Sequence, residues 1–242
     1  MKRFRRAKVR AKLLTDECFF NLNLRVIKFI EISDEGIEYI TESLQHLKGF
    51  KDLSLSFKGC RGISDKGVSC IRNLLLNFSA LEKLVLNFTE ISRVGDKSLS
   101  HIRDGLTSVS KNLKELTLNF DSCPNISDSG LNFLAETIKK AGALTKLDLK
   151  IENNNKVSDK GLLYLKEGFS YLTQLESLIL GFGFCAKLTS IGLSVIETGI
   201  LSIEGLRRLN LSFHECKGIK DEELESTIKK LSFLFAPSVT VQ

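Results

Sequence analysis

The sequence lacks the marks of several protein classes. It has only 17 glycines in 242 residues, too few for a fibrous chain, and 43% hydrophobic residues, too many for a disordered one. No run of about 18 apolar residues occurs, so no segment is expected to insert into a membrane. Six cysteines are too sparse for a small disulfide scaffold, and they lack the short paired spacing of zinc ligands. There is no phosphate loop, and Gly181-Phe182-Gly183 lacks the rest of a dinucleotide fingerprint. No apolar stretch of the secretory kind follows the first residues, so the acceptor triplets at Asn77, Asn87 and Asn125 are expected to be incidental. These absences leave a soluble, folded, intracellular chain with one large domain or two small ones.

What charge there is lies unevenly. The chain carries +6. The first twelve residues hold Lys2, Arg3, Arg5, Arg6, Lys8, Arg10 and Lys12 and no acid. Removing those seven leaves 28 basic residues against 29 acidic ones, a nearly neutral body. Residues 1–17 therefore read as a basic arm. Such an arm suits a mitochondrial targeting segment, a nuclear localisation signal, a nucleic-acid contact or a solvated tail.

The body repeats. Seven Leu-x-Leu pairs start at Leu22, Leu53, Leu84, Leu116, Leu147, Leu178 and Leu209, at intervals of 31, 31, 32, 31, 31 and 31 residues. An apolar residue precedes each pair by three, and Val26, Phe57, Phe88, Phe120, Ile151, Phe182 or Phe213 follows it by two. This alternation puts the apolar side chains on one face of a short strand. A Ser-Asp pair follows at 33–34, 64–65, 127–128 and 158–159, then glycine at 36, 67, 130, 161 and 192, with Ser98 and Glu223 as exceptions. Ser or Asp accepts from the open N–H groups that start a helix, and the glycine lets that turn pack closely on its neighbour. Stripes such as Val68, Ile71, Leu74 and Leu75 then predict a helix with one apolar face. A strand–loop–helix unit cannot bury both faces alone, whereas stacked units form a curved parallel-sheet solenoid. Residues 238–241 fall near the next strand position, so an eighth, edge strand is expected.

Each unit reads roughly Leu-x-x-Leu-x-Leu-x-Phe-x-x-Cys-x-x-Ile-Ser-Asp-x-Gly-Leu-x-x-Leu, which resembles the leucine-rich repeat family over residues 19–242. It looks most like the cysteine-containing and ribonuclease-inhibitor-like subclasses. The 31-residue period exceeds the usual ~20–29, which implies a longer helix or return loop. Long Phe-bearing repeats of this kind resemble those of ciliate protists. The resemblance implies an α/β horseshoe over residues 18–242: a parallel concave sheet with convex helices, about seven repeats and a terminal strand. The motif is specific for fold and weakly specific for function. No polar cap is evident at either end, so a partner, or residues 1–17, is expected to cover one end.

Cys60, Cys123, Cys185 and Cys216 share one repeat column, which Phe29, Ile91 and Asn154 occupy in the other units. Family resemblance implies buried thiols bonding to loop carbonyls. His214-Glu215-Cys216 is locally suggestive of chemistry, yet no orienting third group is visible. The chain is therefore not expected to be an enzyme, and no cofactor or metal is expected.

Partners of such solenoids usually meet the concave strands. Strand parity points three residues per strand outward, and twelve of these are the candidate contacts: Lys83, Val85, Asn87, Glu115, Thr117, Asn119, Lys146, Asp148, Lys150, Ile179, Arg208 and Asn210. Their mixed charge and lack of aromatics suit a protein interface better than a nucleic-acid groove. The expected function is a non-catalytic protein-interaction module, a scaffold or accessory subunit of a larger assembly. Two alternatives are an RNA-associated subunit using the arm and a substrate adaptor of a ubiquitin ligase, although no F-box-like segment precedes residue 19. The expected location is cytoplasmic, cytoskeletal and ciliary assemblies included, with mitochondria or nucleus open through the arm.

Overall fold

The computed structural model of the chain describes residues 24–28, 31–46, 49–235 and 239–241. Eight strands and seven helices alternate along them. The strands are β1 (Leu24–Lys28), β2 (Asp52–Ser56), β3 (Lys83–Asn87), β4 (Glu115–Asn119), β5 (Lys146–Lys150), β6 (Ser177–Gly181), β7 (Arg208–Ser212) and β8 (Val239–Val241). The helices are α1 (Asp34–Leu44), α2 (Asp65–Leu75), α3 (Asp96–Leu106), α4 (Asp128–Ile138), α5 (Asp159–Phe169), α6 (Ser190–Leu201) and α7 (Asp221–Phe235). The sheet is parallel throughout and runs β1 to β8 in sequence order, with successive helices packed on one another. This is an α/β leucine-rich-repeat solenoid. β8 pairs with β7, so the terminal strand expected from the spacing is present.

The long period has a geometric reason. Helices α1 to α5 have 11 residues each and the strands opposite have five. At about 1.5 Å per helical residue and about 3.3 Å per strand residue, both arms of the coil are about 16.5 Å long. Strand and helix are thus matched in length.

One register differs from the 31-residue rule. The rule aligns Leu22 and Leu24 with Leu53 and Leu55. In the sheet, Leu24 pairs with Leu53, and Ile27 with Leu55, across an irregularity. Between strand end and helix start lie the residues from Lys28 to Asp34, a shorter passage than that from Ser56 to Asp65. Where the second unit has Lys58-Gly59-Cys60 the first has Ile27-Lys28-Phe29.

Leucines of the pairs are buried from β2 through β7, and the outward residues are partly or fully exposed except at β6. The aromatic column stacks: Phe57, Phe88 and Phe120 lie at centroid spacings of 5.4 and 5.3 Å, and Phe182 and Phe213 at 5.6 Å. Between these two runs the column holds Ile151, also buried.

The Ser-Asp-x-Gly motif turns out to be a clamp between units. Ser64, Ser127, Ser158 and Thr189 cap their own helices, each accepting from the N–H two residues on. Each also donates its hydroxyl to the aspartate of the preceding unit: Asp34, Asp96, Asp128 and Asp159, at 2.6–2.7 Å. The same carboxylates accept backbone N–H groups, as Asp128 does from Ser158 (2.7 Å) and Gly161 (3.1 Å). The glycine is required by this contact: a Cβ on Gly161 would lie 2.7 Å from the Asp128 carboxylate.

The two exceptions in the third unit are one exchange. Gly95 stands where serine usually caps, and Ser98 where glycine usually packs. Ser98 donates to Asp65 at 2.5 Å, so the hydroxyl has moved three residues and the clamp is kept.

The cysteine column is a second tie. Cys123, Cys185 and Cys216 donate to the carbonyls of Phe88, Ile151 and Phe182, one unit back. Asn154 does the same to Phe120 through its Nδ2 at 2.9 Å. Its Oδ1, however, is buried and accepts no hydrogen bond. Asn154→Cys keeps a donor and deletes the orphaned acceptor. It is therefore expected to leave urea stability unchanged or raised by up to about 1 kcal/mol, whereas Asn154→Leu, which removes the donor, is expected to lower it by about 2 kcal/mol.

Candidate protein-binding face

The sheet positions every candidate contact by register. Lys83, Val85 and Asn87 lie on β3; Glu115, Thr117 and Asn119 on β4; Lys146, Asp148 and Lys150 on β5; Ile179 on β6; Arg208 and Asn210 on β7. Cross-strand pairing aligns them in rows, such as Val85–Thr117–Asp148–Ile179–Asn210. The twelve form one continuous surface.

They are not equally available. Asn87 and Asn119 are folded back onto the turns that leave their strands. Asn87 accepts from the Thr89 N–H at 2.9 Å. Asn119 accepts from the Asp121 N–H at 2.9 Å and from the Thr89 hydroxyl at 2.8 Å. Lys83 and Glu115 are paired at 2.7 Å. On β5 to β7, by contrast, the side chains of Lys146, Lys150, Arg208 and Asn210 make no direct hydrogen bond or ion pair among the described residues, and Arg208 and Asn210 are exposed. Asp148 sits in the middle. Its Oδ1 is buried and accepts no hydrogen bond. Burial pushes its carboxyl above the ordinary value, opposed by the charges of Lys150 and Lys146.

Parity extended one step past each strand reveals a fourth outward column missing from the sequence reading: Lys58, Thr89, Asp121, Glu152, Gly183 and His214. Here Asp121 accepts from the Glu152 N–H at 2.9 Å, and burial raises its carboxyl. A side chain on Gly183 would meet the His214 ring, so glycine makes room for that imidazole. The ring lies edge-on to Phe184, and its Nδ1 is 2.6 Å from the Ser212 hydroxyl. Cys216 points the other way, into the core. The His-Glu-Cys sequence is thus not a spatial cluster.

Among the described residues no group of three or more His, Cys, Asp or Glu side chains is placed to hold a metal ion. Among the described residues Cys70, Cys123, Cys185 and Cys216 are free thiols. Burial pushes the Cys123 thiol up to about 11 and the Cys185 thiol up to about 12. Thiolate is then scarce below pH 9, so both are expected to resist iodoacetamide in the folded chain and to react only on unfolding, as peptide mass mapping would read. No helix among the described residues is long and apolar enough to cross a membrane. The basic arm lies outside the described residues.

No family model matches the chain, and no curated protein matches it. Among solved structures it is similar to a Bacteroides fragilis protein from a structural genomics consortium, at 15% identity and a TM-score of 0.46, over 96% of this chain and 68% of that one. It is also similar to a TLR13–ssRNA13 complex, at 17% identity and a TM-score of 0.33, over 77% of this chain and 29% of that one. The fold assignment stands on the strand order and helix placement described above.

Proposed function

We propose that the chain is a non-catalytic protein-interaction module, a scaffold or accessory subunit of a larger assembly, and that its partner sits on β5 to β7. The observation that supports this most is Asp148: a carboxylate with one oxygen buried and unbonded, in the middle of an outward sheet face. A carboxylate held this way gains from a donor brought by a partner. Around it, Lys146, Ile179, Arg208 and Asn210 supply the mixture of charge, amide and partly exposed apolar surface that protein interfaces use. Asn87, Asn119, Lys83 and Glu115 drop out of the contact set because they already serve the fold.

The cysteine ties favour the cysteine-containing subclass and a reducing compartment, where free buried thiols persist. RNA binding rests on the arm alone, and the charges of both signs on the sheet, without aromatic side chains to stack on bases, do not favour it.

The test is affinity capture from cells of the chain's source with the full chain and with the triple variant Asp148→Ala, Ile179→Ala, Arg208→Ala. Recovery of the co-purifying protein should fall at least about tenfold while the thermal melt is unchanged. Undiminished capture moves the partner off this face.

A further inference from the structure

Five unit-to-unit interfaces carry the aspartate clamp, from Asp34 with Ser64 to Asp159 with Thr189. The sixth does not. Ser190 replaces the aspartate, and Lys220 and Glu223 replace the serine and glycine that would meet it. There the convex surface opens into a cleft of about 490 Å³ between α6 and α7.

Its lining is apolar and acidic. Ile191, Leu193 and Val195 come from α6, and Glu223, Thr227 and Lys230 from α7. Ile191 is 70% exposed, the most exposed large hydrophobic residue described. Glu197 is held by Thr227 at 2.9 Å and by Lys230 at 3.1 Å. Glu223 is less well served. Its Oε2 is buried and accepts no hydrogen bond, and its Oε1 stands 3.8 Å from Lys220. Asp221 and Glu222 add negative charge in the same helical turn. A ligand for this cleft needs an apolar group for Ile191 and Val195, and a cation beside it for Glu223.

The chain contains such a segment. Phe4 is flanked by Arg3, Arg5 and Arg6, in an arm that holds seven positive charges and no acid. We propose that the cleft docks the segment around Phe4 of a second copy of this chain, the phenyl ring against Ile191 and Val195 and a guanidinium on Glu223. This contact is independent of the concave face. Docking within one chain is geometrically strained. Twenty residues separate Phe4 from Leu24, at most about 70 Å when fully drawn out. Six helix-to-helix steps of about 8–10 Å, about 48–60 Å in all, separate α1 from α7, so the segment would have to run mostly extended. A second copy imposes no such demand. The contact is heterologous, arm to cleft, so it propagates head to tail.

Sedimentation of the full chain over a concentration series tests this. Self-association is expected, weaker at high salt, and at least about tenfold weaker in Ile191→Lys and in Phe4→Ala. A complementation then separates docking from misfolding. Glu223→Arg spoils only the cleft, and Phe4→Ala spoils only the arm, whose remaining positive charge forms no new pairing with the altered cleft. Each variant alone should stay monomeric. Mixed, they should form a one-to-one dimer that grows no further, because one intact arm meets one intact cleft. A full chain that is monomeric throughout overturns the proposal. So does a cleft or arm variant that associates like the full chain, or a mixture that stays monomeric.

Discussion

Asp128→Ala is expected to lower unfolding stability by about 3–4 kcal/mol. Its carboxylate accepts three hydrogen bonds from the next unit: the Ser158 N–H, the Ser158 hydroxyl and the Gly161 N–H. Bonds to a charged acceptor contribute about 1.5–3 kcal/mol each, and partial exposure of the site discounts the sum. The loss falls on a nearest-neighbour interface, so units four and five should begin to uncouple and the urea transition should broaden. Asp128→Asn keeps an oxygen for the two N–H groups and is expected to lose about half as much. If alanine were as stable as the wild type, the clamp would be ornamental.

The third unit supplies a sharper version of the same test. Gly161→Ser alone presses a Cβ onto the Asp128 carboxylate, and Ser158→Gly alone removes a cap and a donor. Both singles should destabilise. The double variant rebuilds the arrangement of Gly95 and Ser98, in which the hydroxyl reaches Asp65 from the other position. It should recover about 1 kcal/mol or more over the sum of the singles, a coupling measurable by a double-mutant cycle.

These residues show what the sequence disclosed and where it stopped. The strand face was legible because parity is rigid: Leu84 and Leu86 point inward and Lys83 and Val85 outward, as the alternation requires. The helix start was legible as a cap, but the aspartate's true partner lies 30 residues on, a contact no local rule predicts. The paired exceptions at Gly95 and Ser98 carried that information, since two departures three residues apart within a strict repeat imply a shared contact. The turn after each strand was not legible. Glu90, Ser122, Asn153, Phe184 and Glu215 adopt φ of 57–64°, a left-handed conformation that only Gly59 and, more weakly, Asn153 signal by residue type. At the candidate face, parity could place Asn87 and Asn119 outward but not foresee that their amides fold back onto the turns. Availability depends on side-chain geometry, which is why Asp148 emerges only from the structure.

The same logic predicts a gain where the clamp is absent. The triple variant Ser190→Asp, Lys220→Ser, Glu223→Gly writes the motif into the last interface. It is expected to stabilise α7 by about 2 kcal/mol. The new carboxylate at 190 would accept from position 220 and from the N–H at 223, as Asp128 does from Ser158 and Gly161. Removing Glu223 deletes a buried, unbonded carboxylate oxygen, while the added glycine gives back up to about 1 kcal/mol of helix propensity. Order matters among the single changes. Ser190→Asp alone adds a third carboxylate to a cleft already lined by Glu197 and Glu223, with no serine to receive it, and it should not stabilise. Amide hydrogen exchange reads the result directly: protection in α7 should rise about 30-fold in the triple variant, the equivalent of 2 kcal/mol, and stay flat in α2 and α3. If α7 exchanged no more slowly, the open sixth interface would owe its looseness to something other than the missing aspartate.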